Sequence, residues 1–132
     1  MKIVVDTNIL FSFFWEKSLT KKLLLVSKFE LIAPKIAIEE IKKYSNEIIK
    51  KTGNENFKND MNYLKKIVKF IDKKEYSEFI KESNEISPDK ADAEFFALCL
   101  KHSCFLWSND VALKKQDKVK VLSTKEVIEI FL

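Results

Sequence analysis

Apolar positions along the chain fall into two recurring patterns. One is a short, nearly unbroken run of β-branched and aliphatic residues. The other is a longer stretch in which apolar residues return every three or four positions. Residues 2–6 (KIVVD) are of the first kind and predict a buried strand. Residues 8–15 and 18–28 predict helices. Residues 30–33 (ELIA) predict a short strand closed by Pro34, and 35–51 an amphipathic helix ended by Thr52-Gly53. A helix over 56–67, a short edge strand over 68–71 (VKFI) and a helix over 74–84 follow. Ser87-Pro88-Asp89 predicts a helix start, with Ser87 as N-cap and Pro88 at the first position, running to about His102. The chain then offers a buried strand at 104–107 (CFLW), a short helix at 110–115 and a strand at 119–122 (VKVL). The last helix, 124–131, is capped by Ser123 or Thr124.

Strands and helices thus alternate. That order predicts an α/β fold, a three-layer α/β/α sandwich around a mostly parallel sheet of five strands. At 132 residues the size fits one domain, 1–132, with no internal repeat or linker. Gly53 is the only glycine, which excludes the dinucleotide fingerprint and the P-loop, since each needs at least two. Cys99 and Cys104 are too few for a zinc site of paired cysteines and fit buried thiols in a reducing cytosol. Asp6 and Asn8 interrupt any signal-peptide core, and no segment has the apolar length of a membrane span. A cytoplasmic protein without membrane attachment is the expectation.

The net charge is +4, and all 24 basic residues are lysines. Lysine is a flexible point charge that suits phosphate backbones without reading base edges bidentately. The balance therefore permits nucleic-acid binding. The segment from Lys42 to Lys74 is rich in lysine, either as a solvated face or as a track for an RNA backbone.

The candidate chemistry lies where strands end. In an open parallel sheet, ligands bind at the carboxyl ends of the strands. Asp6 ends the first strand, and Trp107-Ser108-Asn109-Asp110 ends the fourth. Either aspartate alone reads equally well as a helix N-cap. On the helix from Pro34, Ala37, Ile41, Tyr44 and Ile48 form the core stripe. At about 100° per residue, Glu39 points to solvent and Glu40 lies about 60° from the stripe, at the boundary where it can reach a cleft. On the helix from Pro88, Asp92 shares a face with Phe96 and Cys99, Glu94 faces roughly the other way, and Asp89 lies one turn earlier. A carboxylate on a core-facing stripe is costly unless it is paired or bound to a metal. Convergence of Asp6, Glu40, Asp92 and Asp110 would raise some of their pKa values, and a hard divalent cation relieves the repulsion. Oxygen ligands without a histidine cluster favour Mg²⁺ or Mn²⁺ over Zn²⁺. His102, the only histidine, stands near a helix end, where its charge suits the dipole better than a base's role.

Three stretches then resemble the PIN domain, a metal-dependent ribonuclease fold of toxins and of stand-alone RNA-processing nucleases. They are VVDTNILFS, APKIAIEEIKK and SPDKADAEFFALCLKHSCFLWSNDVALKK, which frame the chain from Met1 to about residue 123. Position by position, Asp6, Glu40, Asp92 and Asp110 are similar to the family's four acids, which would serve as catalytic and metal-binding residues. Thr7 and Asn8 resemble polar residues that trail the first acid. Ser108 or Asn109 would act likewise beside Asp110, with Asp89 as a further supporting acid. The resemblance implies a strand order of 3-2-1-4-5 and endonucleolytic cleavage of single-stranded RNA. It also implies a homodimer and, on the toxin branch, an antitoxin partner. The alternative is a PIN module that binds RNA or protein without catalysis. A phosphoacceptor domain of doubly wound type fits less well, because it needs an acidic pair where strand one offers Asp6 alone.

Overall fold

The computed structural model describes residues 1–15, 17–26 and 28–131. Five strands form one sheet: β1 (Lys2–Val5), β2 (Glu30–Pro34), β3 (Val68–Ile71), β4 (Phe105–Trp107) and β5 (Val121–Leu122). Their order is β3-β2-β1-β4-β5, and every pairing is parallel. The expected fold and strand order are both observed. β1 is the central strand, and Ile3, Val4 and Val5 have no accessible surface, which is why that run carries no polar alternation.

Among the described residues, seven α-helices connect the strands and an eighth follows β5: α1 (Thr7–Phe11), α2 (Leu19–Val26), α3 (Ile36–Lys43), α4 (Ser45–Thr52), α5 (Phe57–Ile67), α6 (Ile80–Ile86), α7 (Ala93–His102) and α8 (Thr124–Phe131). Right-handed crossovers place α1 to α5 on one face of the sheet and α6 and α7 on the other. α7 packs across β1, β2 and β4. Its buried Phe95, Phe96 and Leu98 form the core of that layer. Among the described residues no helix is long and apolar enough to cross a membrane.

Several boundaries differ from the expectation, each for a local reason. The predicted 35–51 helix breaks at Tyr44 (φ −100°, ψ 11°) into α3 and α4. The break takes Tyr44 off the core stripe and leaves it 40% exposed, while Ala37, Ile41 and Ile48 stay buried. The first predicted helix, 8–15, tightens after Phe11 into a 3₁₀ turn over Ser12–Phe14. Ser27, inside the predicted 18–28 helix, lies outside the described residues. The 74–84 helix is two 3₁₀ turns, Lys73–Glu75 and Ser77–Phe79, followed by α6. The 110–115 helix is a 3₁₀ turn over Val111–Lys114.

Ser87 and Pro88 do not open α7. Asp89 accepts the Ala91 amide at 2.9 Å and caps a 3₁₀ turn over Lys90–Asp92, so α7 starts only at Ala93. α8 does begin with a reciprocal cap: the Glu126 amide donates to Ser123 Oγ and the Ser123 amide to Glu126 Oε1, each at 3.2 Å. α4 ends at Gly53, whose φ of +66° is left-handed.

Candidate active site at the strand ends

Asp6 directly follows β1, and its position is set by strand register. Val5 pairs with Trp107, and the Asp6 amide continues that ladder by donating to the Trp107 carbonyl at 3.0 Å. The Ser108 amide extends the next ladder in the same way, donating to the Leu122 carbonyl at 2.9 Å. The two chain ends therefore emerge side by side. Ser108 Oγ donates to Asp6 Oδ2 at 2.6 Å and accepts the Asp110 amide at 3.1 Å. Asp6 and Ser108 are 6% and 1% exposed, so this bond is shielded from water.

The two aspartates differ in their relation to helix starts. Asp110 is a true cap, accepting the Ala112 amide at 3.0 Å. Asp6 stands at the N-cap of α1, where its carbonyl accepts the Ile9 and Leu10 amides, but its carboxylate makes no cap bond. A carboxylate this buried is costly, and the α1 amides of Thr7 and Asn8 offset only part of that cost.

Glu40 and Asp92 complete the neighbourhood. Burial raises the Asp6 pKa, and the Asp110 charge adds to that. The Ser108 hydroxyl and the Asn8 and Thr7 amides act against it. Glu40 is raised by burial and then by the Asp6 charge, with Thr7 opposing and Glu94 adding a further push. Asp92 is pushed up to about 6, first by burial and then by Asp6, Asp89, Asp110 and Glu40. Asp6, Glu40 and Asp92 are thus all raised, and the Asp110 charge acts on two of them. Glu39 points to solvent as its helix phase required.

Asp92 arrives by a different route from the one expected. It is the residue before α7, at the end of the 3₁₀ turn, and not a member of a helical stripe. Glu94 is likewise not turned away. Fully buried Tyr76 donates its hydroxyl to Glu94 Oε1 at 2.6 Å, and the Glu94 charge reaches Glu40. This pair was not anticipated; the signal was a tyrosine within the polar stretch KKEYSEF, whose hydroxyl requires a partner if buried. Asn109 accepts the Thr124 amide at 2.8 Å and so fixes the start of α8, leaving Ser108 as the residue that links the aspartates. Asn8 is exposed beside Asp6, and Asp89 is exposed at its cap.

The residues fit a hard divalent cation by donor chemistry. They offer carboxylate oxygens, those of Asp6, Glu40 and Asp92 with raised pKa, and beside them Thr7 Oγ1 is buried without a hydrogen-bond partner, although it lies close enough to Glu40 to lower that pKa. Among the described residues, however, no group of three or more acidic, histidine or cysteine side chains is placed to hold a metal ion.

The PIN domain family model matches residues 4–129 of the chain. The fold is also similar to the crystal structure of VapBC2 from Rickettsia felis bound to a DNA fragment from their promoter. That likeness has a TM-score of 0.66 and covers 93% of this chain and 98% of the other, at 16% sequence identity. No match is found among curated proteins.

Proposed function

We propose, from the premise that the chain belongs to the PIN domain family, that it is a divalent-metal-dependent endoribonuclease acting on single-stranded RNA. The observation that carries this reading is the gathering of acids at the carboxyl end of the central strand, where the Asp6 charge raises Glu40 and Asp92, and the Asp110 charge raises Asp6 and Asp92. A repulsive cluster at a ligand-binding edge is sustained by function more readily than by stability.

Asp6, Glu40, Asp92 and Asp110 would hold Mg²⁺ or Mn²⁺. The bound ion would lower the pKa of its water and stabilise the leaving oxygen. Ser108 fixes the rotamer of Asp6, so one face of that carboxylate is held before any ligand arrives. The Asp110 cap occupies Oδ1 and leaves Oδ2 for another partner. Thr7, Asn8 and Asp89 would support the shell, with the buried Thr7 hydroxyl beside Glu40. Tyr76 restrains Glu94 and, through its charge, the ionisation of Glu40. No histidine takes part: His102 is bonded to Lys2 at 3.4 Å, away from these acids. Lysine-rich surface supports a polyanionic substrate, and the absence of arginine supports recognition by shape over base edges.

A homodimer, an antitoxin partner and a cytoplasmic location belong to the same reading, the antitoxin being supported by the likeness to VapBC2. The test offers one sequence as single-stranded RNA, duplex RNA and single-stranded DNA in Mn²⁺. Cleavage confined to the single-stranded RNA is expected. Metal binding without cleavage of any of them would favour the non-catalytic module.

A further inference from the structure

Two adjoining cavities of 540 and 380 Å³ flank α1, and both are lined by Asn8, Phe11 and Trp15. The smaller one also includes Glu40 and Tyr44. The groove therefore begins at the acid cluster and runs outward along aromatic rings. Trp15 and Tyr44 are each 40% exposed, and Phe11 meets the Tyr44 ring edge-on at 6.2 Å and 89°. This arrangement follows from the break at Tyr44, which turns that ring out of the core. The lining carries charge of both signs. Glu40 and Glu47 lie in the smaller cavity with Lys51, Lys17 lines the larger, and the Lys43 ammonium lies 5.6 Å from the Tyr44 centroid.

Resting on the nuclease reading above, we propose that Trp15 and Tyr44 form a nucleobase-stacking subsite. It would seat unpaired bases of the RNA next to the scissile phosphate, while these lysines meet the flanking phosphates. Stacking needs a flat ring with a free face and tolerates any base. It also requires splayed-out bases, which a single strand supplies and a duplex does not. A volume of several hundred Å³ accommodates a nucleotide. Continuity with Glu40 and these lysines favour RNA over a protein segment as the occupant.

The test measures binding of a short single-stranded RNA, and of the same strand with abasic positions, to wild type, Trp15→Ala, Trp15→Phe and Tyr44→Ala, with Ca²⁺ to suppress turnover. Trp107 is buried, so quenching of the exposed tryptophan reports on Trp15 directly. Trp15→Ala and Tyr44→Ala should each weaken binding of the intact strand on the order of tenfold. Trp15→Phe should retain most of the affinity. Binding of the abasic strand should be weaker in wild type and unchanged by the substitutions. Equal affinity of wild type and both alanine variants for RNA that wild type cuts would overturn the subsite and leave the nuclease reading intact. A change in oligomeric state without a change in RNA affinity would overturn it in favour of an interface between copies. Failure of wild type to bind or cut any RNA would remove the nuclease reading itself, and the subsite with it.

Discussion

Replacing Ser108 by Ala removes the side-chain hydrogen bond that joins the Asp6 carboxylate to the end of β4. The hydroxyl donates to Asp6 Oδ2 at 2.6 Å between two residues that are almost fully buried. A bond to an ionised, desolvated acceptor contributes about 1.5–3 kcal/mol, against about 1 kcal/mol for a neutral pair. The second bond, from the Asp110 amide, lies beside an exposed residue where water can replace it, so it adds little. Ser108→Ala should therefore destabilise the fold by about 1.5–3 kcal/mol at pH 8, well above the ordinary carboxyl range. For a chain of 132 residues that corresponds to a Tm lower by roughly 5–10 °C. Urea unfolding of wild type, Ser108→Ala, Asp6→Asn and the double variant closes a thermodynamic cycle. In the Asp6→Asn background the cost of losing the hydroxyl should fall to about 1 kcal/mol, because the acceptor no longer carries charge. A cost below about 0.5 kcal/mol, or an equal cost in both backgrounds, would refute the claim that Ser108 offsets the charge of Asp6.

Asp6→Asn alone should keep or raise stability in metal-free buffer, because it removes a buried charge that the neighbouring acids repel; a clear loss of Tm at pH 8 would contradict this. The gain should grow with pH. Carboxyls raised above their ordinary values of 3.8 (Asp) and 4.5 (Glu) hold extra protons in the folded state, so wild type loses stability as pH rises through the window that ends, for Asp92, near 6. Mn²⁺ affinity should run the other way, improving at least tenfold per pH unit below 6 and levelling off above it, with calorimetry in two buffers of different ionisation heat showing proton release. Gly53→Ala should cost about 1 kcal/mol through its left-handed φ alone, since a Cβ there meets nothing within 4 Å; urea unfolding with unchanged metal affinity is the check.

The sheet was legible in the sequence because its strands are buried on both faces and so appear as unbroken apolar runs. The β1 run ending in Asp6 and the CFLW run ending in Ser108 and Asp110 located both edges of the site before any geometry was known. Glu40 was legible from helix phase, because α3 is regular over the turn that carries it. Asp92 was expected on a helical stripe, and its local structure differs from that. Ser87-Pro88 carries a strong start signal, yet Asp89 captures the Ala91 amide first and moves the helix start to Ala93. The Tyr44 break was hidden because an amphipathic pattern continues across it, and only packing decides that the ring faces outward. Long-range partners such as Tyr76 and Glu94 leave no trace in local periodicity, since 18 residues separate them and they sit on different elements.

The central claim, that the acids around Asp6 form a metal-dependent nuclease site, is tested most directly by cleavage of a mixed single-stranded RNA pool. Wild type and Asp6→Asn would each be assayed with Mg²⁺, with Mn²⁺ and with EDTA. Cleavage by metal-loaded wild type alone is the predicted result. Cleavage by Asp6→Asn, or by wild type in EDTA, would contradict it.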